Sequence, residues 1–380
     1  MKDSAPQKTA LGSRTVDKLQ GRLREEVFHY AADAKKAAGR ALGTIVELIT
    51  YYKIVDWGLT GNTLIERRIP EFANPSITHN VEFSLHRALR IAEQPLPSIG
   101  ERLGARKIGA MFDFNPTRLS ETLLCAKGTV RNAAVIAENE DSISVVNLNR
   151  KNSTGAKVCL SELEFQPVAI VECKRVGVEE GMKKGPQSIE KAKQGAYVAR
   201  SVSALQKLRA ASGEAHGYLP ELDGSYQIAP YDQMLSDIFS GKRDVPQGFV
   251  LSIGVTSNHG NWFTSENHNK ELRVLAQSYD WLLFLTDHGL MQFVEDCILE
   301  PRPEYSAIAD AFAASYTGIK GQNRFTKVKI DLKADAALRD YFHAHRKVSD
   351  DWFEVIAPSG RSISALPDQL IFLIQSKKPT

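Results

Sequence analysis

A chain of 380 residues, 43% hydrophobic and 24% charged, can bury a sizeable core and has the composition of a folded protein, which excludes a disordered chain. Its net charge of +3 excludes the strong charge imbalance that would by itself announce a polyanionic or polycationic partner. No apolar run reaches the ~20 residues needed to cross a bilayer, and the opening MKDSAPQKTALGSR lacks the apolar stretch of a secretory signal.

Four dispersed cysteines, Cys125, Cys159, Cys173 and Cys297, form no CxxC pair. Neither a zinc site nor a disulfide framework is expected, and the chain reads as one from a reducing, cytoplasmic compartment. Charge is uneven: residues 151–210 carry eleven Lys/Arg against six Asp/Glu. That excess is compatible with an anionic substrate, and equally with a solvated face.

In chain order, Val16, Leu19, Leu23, Val27, Tyr30 and Ala34 have the spacing of an amphipathic helix over 15–38. Gly39 and Gly43 bracket a second helical segment, ALGTIVELITYY. NVEFSLH (80–86) alternates as a strand does, and IAEQPLPSIGERLG (91–104) reads as a connection and domain boundary. From residue 129 short β-type runs follow: AAVIA, SISVVNL, KVCLSELEF and VAIVEC. A glycine-flanked loop, GVEEGMKKG, precedes a helical stretch from Pro186 to Arg209, proline being well tolerated just inside a helix start. Residues 211–247 form an irregular insertion, and GFVLSIGVT (248–256) is an apolar strand. KELRVLAQSYDWLLFL (270–285) reads as a helix, a further helical segment runs to Cys297, and helix (333–346) and strand (352–357) signals close the chain. This order predicts an α/β fold with a mixed central β-sheet flanked by helices. It divides into a mainly helical segment (1–105), a core (106–300) and a C-terminal α+β appendage (301–380).

One stretch carries chemistry. In PVAIVECKR (167–175) both faces are apolar until Glu172 and Lys174, which alternation places on the same face where the strand leaves the core. A carboxylate there can hold a hard divalent cation such as Mg²⁺. A neighbouring ammonium can orient a water and offset charge building on a phosphate. A second acid is needed to complete such a site.

E-x-K at the end of a hairpin's second strand, followed by a helix and a parallel strand, resembles the PD-(D/E)XK nuclease superfamily, especially its type II restriction endonucleases, over roughly residues 129–298. The resemblance implies a restriction-endonuclease-like core and Mg²⁺-dependent hydrolysis of double-stranded DNA to 5′-phosphate and 3′-hydroxyl ends. It also implies a homodimer, with flanking segments supplying dimer contacts or base reading. Glu172 and Lys174 match the motif directly. No Pro-Asp pair lies at the usual short distance upstream; Asp141, opening SISVVNL, is the expected first acid and metal ligand beside Glu172, with Glu162 and Glu164 as competitors. Gln194 and Tyr197, in AKQGAYVA, are similar to a Gln-x-x-(x)-Tyr pattern of exonuclease-type members, and Glu47 resembles an N-terminal helical glutamate set beside the metal. Lys183 and Lys184 are candidates for DNA phosphate contacts.

Each feature also has a plainer reading. E-x-K alone is usually an ion pair at a strand end, Glu47 a solvated stripe on an amphipathic helix, and Lys183 and Lys184 part of a solvated loop. His259 and His268 sit in a loop-like NHGNWFTSENHNK without a strand pair. His343 and His345 are two apart on a helix and face different ways. No G-x-x-x-x-G-K-[ST] or dinucleotide fingerprint is present, so no nucleotide cofactor is expected. Two other readings stand beside the restriction enzyme: a repair or recombination nuclease of the same superfamily, and a non-catalytic DNA-binding protein of the same fold.

Overall fold

The computed structural model describes residues 16–31, 33–96, 101–125, 128–150, 155–176, 186–221, 223–258, 270–316 and 323–376. Its central element is a mixed eight-stranded sheet built around two very long strands, β2 (Asn74–Pro95) and β5 (Ala156–Val176). They pair antiparallel from Phe83↔Val171 to Pro95↔Lys157. On the outer side of β2 lies β1 (Thr63–Glu71), also antiparallel. The other side of β5 is shared. Its first half pairs with β4 (Ser142–Arg150), which hairpins with β3 (Ala134–Glu138); its second half pairs in parallel with β6 (Leu251–Asn258). A parallel β7 (Trp281–Leu285) and an antiparallel β8 (Phe353–Ala357) complete the sheet.

Burial explains this order. All eight residues of β6 and all five of β7 are buried, as expected for strands covered on both faces. One face of the sheet packs on α2 (Ala34–Asp56), where Ile45, Ile49 and Tyr51 share a core with Phe83, Leu85, Ala169, Val171, Ile253 and Leu283. The other face is covered by α3 (Pro186–Ser201) and α4 (Lys270–Ser278), through Val198 and Val202 against Ile170 and through Leu272 and Leu275 beside Leu282 and Phe284. Among the described residues no helix is long and apolar enough to cross a membrane, and all four cysteines are free thiols.

The β2–β5 ribbon slips register at three places between Leu85 and Arg90. Such bulges bend a strand and sharpen its twist. Here the bend is built around His86, fully buried, whose Nδ1–H donates to the Glu164 carbonyl at 2.9 Å while Nε2 accepts from Ser84 Oγ at 2.8 Å. Burial drives its pKa down to about 3, so the ring stays neutral and its two bonds keep fixed roles.

Five readings of the sequence need correction. The helix expected from Pro186 to Arg209 ends at Ser201, Gln206–Arg209 being a strand, and the insertion read as irregular over 211–247 holds two strands, Ala215–Pro220 and Tyr226–Pro230, and a helix, Tyr231–Phe239. The helix expected over 15–38 is two, α1 (Val16–Glu26) and α2, and the second runs through Gly39 and Gly43 without a break. Asp33 caps α2 by accepting from the Lys36 N–H at 3.0 Å. Gly39 lies under the Gln20 side chain, 3.4 Å from where a Cβ would stand, so it lets the two helices approach closely. The segment 270–285 is α4 followed by β7, because WLLFL is a buried strand; a short apolar run fits either state until its neighbours are known. The stretch Ile91–Pro95, read as part of a boundary, is the end of β2.

The sheet also draws on all three segments into which the sequence divides: β1 and β2 from the first, β3 to β7 from the second, β8 from the third. Further C-terminal residues join the core through α5 (Leu332–Ala344). Tyr52 Oη donates to Asp335 at 2.9 Å, and the Tyr52 and Phe342 rings stack at 6.0 Å.

Gly254 of β6 sits beside Glu172 in the parallel register, and a Cβ there would stand 2.9 Å from the buried Tyr279 ring. Gly254→Ala is expected to destabilise the protein by ~1–3 kcal/mol through overpacking, measured by urea denaturation. An unchanged midpoint would mean that Tyr279 has free space to move into.

Candidate active site

Alternation along β5 puts Val171 and Cys173 toward α2 and Glu172 and Lys174 on the opposite face, as their neighbours attest: Cys173 Sγ lies 3.5 Å from Thr50 of α2. The paired run of β2 on β5 ends at Phe83↔Val171, and Glu82 of β2 follows directly beyond it. Lys174 joins this residue to Glu172: its Nζ lies 3.2 Å from Glu172 Oε2 and 3.7 Å from Glu82 Oε1.

A second lysine enters from far along the chain. Lys327 Nζ is 3.0 Å from Glu47 Oε2, 3.4 Å from Glu66 Oε1 and also ion-paired with Glu82 Oε2. The cluster thus holds four carboxylates (Glu47, Glu66, Glu82, Glu172) and two ammonium groups, an excess of two negative charges when all are ionised. It borders a cleft of about 510 Å³ lined by His79, Asn80, Glu172, Lys174, Gln194 and Tyr197. At the rim, Tyr197 Oη donates to Glu71 at 3.2 Å and His79 Nε2 lies 3.2 Å from the same carboxylate.

Glu172 is the buried member, 3% exposed. Two glycines make that possible. Gly195 of α3 has no Cβ to collide with Tyr279 Oη, and a Cβ there would lie 3.9 Å from Glu172 Cβ; Gly254 admits the Tyr279 ring from beside the strand. Desolvation raises the Glu172 pKa above the ordinary carboxylate range, opposed by the charge and hydrogen bond of Lys174 and assisted by the like charge of Glu47. Its Oε1 is buried with no hydrogen-bond partner among the described residues. A buried carboxylate oxygen without a partner is costly, and a bound cation would meet that need.

The residues expected from sequence fall into three groups. Glu172, Lys174 and Gln194 line one cleft, and Glu47 reaches the same charge cluster through Lys327. Asp141 does not belong there. Its neighbour Ser142 pairs with Glu164, and its carbonyl accepts from the Phe165 N–H at 2.9 Å. That places it seven residues back along β5 from Glu172, roughly 20 Å away at the rise of a strand. Glu162 and Glu164 are farther still and are engaged by Ser142 and Arg87. No ion could bridge any of the three to Glu172. Lys183 and Lys184 lie outside the described residues.

The acid that sequence reading missed is Glu82. Its signal was present: a single carboxylate between Val81 and Phe83 in a strand-like run. Glu66 and Lys327 carried no such mark.

Among the described residues no three His, Cys, Asp or Glu side chains converge as a bare metal-ligand set, because lysines are interleaved with the acids. The nearest fit to a hard divalent cation is the pair Glu82 and Glu172, one oxygen of which is unpartnered. Comparison of the chain with protein-family models, curated proteins and solved structures finds no match.

A raised pKa means that the folded chain takes up the Glu172 proton more readily than the unfolded chain does. The group favours folding at pH values below its unfolded pKa, and that contribution is lost as pH rises through the raised value. In the absence of divalent cations, Glu172→Gln should therefore melt at a higher temperature than the parent near pH 8, with the gap closing at acidic pH. A lower melting temperature for the variant near pH 8 would show that the ion pair with Lys174 outweighs desolvation.

Proposed function

We propose that the chain is a Mg²⁺-dependent endonuclease acting on double-stranded DNA, with a type II restriction enzyme as its nearest functional type. The observation that carries this reading is the meeting of Glu172 and Lys174 with Glu82, contributed by the adjacent core strand, around a buried, unpartnered carboxylate oxygen at the wall of an open cleft. The order of elements supports it: the E-x-K ends an antiparallel run of strands, and a helix and a parallel strand follow. Glu82 here replaces Asp141 as the first acid.

Glu82 and Glu172 would hold the ion, since Mg²⁺ binds through one or two carboxylates with water and phosphate oxygens filling the remaining positions. When bound it supplies Lewis-acid stabilisation of charge on a phosphoryl oxygen. Lys174 remains partly exposed at the cleft. Its ammonium, held by two carboxylates, is fixed where it can orient an attacking water and offset charge on the scissile phosphate. Gln194, exposed on α3 at the same cleft, is suited to touch substrate. That placement also keeps alive an end-acting repair nuclease.

Incubation of purified protein with closed circular and linear DNA, with Mg²⁺ or EDTA, tests the proposal. Discrete Mg²⁺-dependent fragments support an endonuclease, and progressive loss from linear ends supports the repair reading. Glu82→Ala, Glu172→Ala and Lys174→Ala should each lower the rate by about 10²-fold or more, while Asp141→Ala leaves it unchanged within about twofold. Full activity in Glu82→Ala would remove this site from consideration. No cleavage by the parent chain on several DNAs would favour a non-catalytic DNA-binding protein.

A further inference from the structure

We propose that Lys327 is a built-in cation that occupies one half of a two-cation site and so limits the site to a single divalent ion. The inference rests on the reading that Glu82 and Glu172 hold Mg²⁺, and it assigns a role to a residue from the far end of the chain.

The carboxylate of Glu82 divides its two oxygens. Oε1 faces Lys174, which also binds Glu172; Oε2 is paired with Lys327, which also binds Glu47 and Glu66. A carboxylate bridging two positive centres, each with further acids of its own, is the arrangement of a two-metal site, in which the ions stand ~3.5–4 Å apart. Here both centres are ammonium groups, and they differ: Lys327 is enclosed, whereas Lys174 is partly exposed and lines the cleft with Glu172, where an ion has room beside it. On the other side Glu172 Oε1 is left without a partner.

Lys327 is set there by the backbone. Its side chain is only 4% exposed. Asn132, itself buried, donates from Nδ2 to the Lys327 carbonyl at 3.0 Å and from its backbone N–H to the Val328 carbonyl at 2.9 Å. The turn is closed by Thr326, whose backbone N–H donates to the Lys329 carbonyl at 2.9 Å. Across the site, Glu66 sits in β1 with φ of 54°, a left-handed conformation that is strained for a non-glycine residue and that tends to mark functional positions. A buried ammonium is stable only when paired, and this one has three carboxylates.

Charge arithmetic sets the stoichiometry. Four carboxylates and two ammonium groups leave two negative charges, which one divalent ion neutralises. Removing Lys327 leaves three, with Glu47, Glu66 and Glu82 Oε2 free to hold a second ion.

Calorimetric titration of the metal-free protein with Mg²⁺, repeated with Mn²⁺, reads the number of ions directly. The expected result is one ion for the parent, two for Lys327→Met, and one for Lys327→Arg, which keeps the charge. If Lys327→Met fails to fold, Lys327→Met with Glu66→Gln relieves one uncompensated charge and should still bind two, the second between Glu47 and Glu82. One ion in a folded Lys327→Met or in the double variant, or two in the parent, would overturn the role of Lys327 and leave the Glu82–Glu172 site standing. No binding by the parent, by Lys327→Met or by the double variant would overturn both.

Discussion

The register of β2 on β5 is the constraint on which the site depends. Phe83 opposite Val171 sends both into the core against α2, and the next residues at the end of that pairing, Glu82 and Glu172, come within reach of one lysine. A slip of one residue along β5 would carry Glu172 into the apolar layer under Tyr51 and Ile49, where an unpaired charge is prohibitively expensive. The hydrophobic pattern that fixes the strand pair thus also fixes the face on which Glu172 stands.

Concentrating four carboxylates in this way costs stability. The structure offsets the cost with Lys174 and Lys327 and leaves Glu172 under-satisfied in a wall made by Tyr279, Gly195 and Gly254. Binding sites often hold such unrelieved charge, because a partner that relieves it binds more tightly. In the proposed nuclease that partner is Mg²⁺. The two lysines then differ in consequence: Lys174 faces the cleft and is available to substrate, whereas Lys327 is enclosed and acts only on the acids around it.

Much of this was legible in the sequence. The doubly apolar strand ending in Glu172 and Lys174 was readable because alternation is local, and the mixed sheet followed from the order of elements. Asp141 stands out in the sequence because its strand-like segment lies close before β5 in the chain, and that segment does pair with β5. But β5 is 21 residues long, and its first half pairs with β4 while its second half, with the motif, pairs with β6. The acid that faces Glu172 is ninety positions earlier and meets it only through the long β2–β5 pairing, which no local pattern encodes. Lys327 is more distant still, in a short turn whose side-chain direction depends on Asn132. Misreading WLLFL as helix has the same origin: a buried run shows no periodicity, and only its neighbours decide its state.

The most direct measurement of the central claim is the anomalous scattering of Mn²⁺ soaked into crystals of the metal-free protein. The account predicts one strong peak within about 2.0–2.3 Å of carboxylate oxygens of both Glu82 and Glu172, with Lys327 still in contact with Glu47. A peak at Asp141, or none near Glu172 at saturating Mn²⁺, would contradict it.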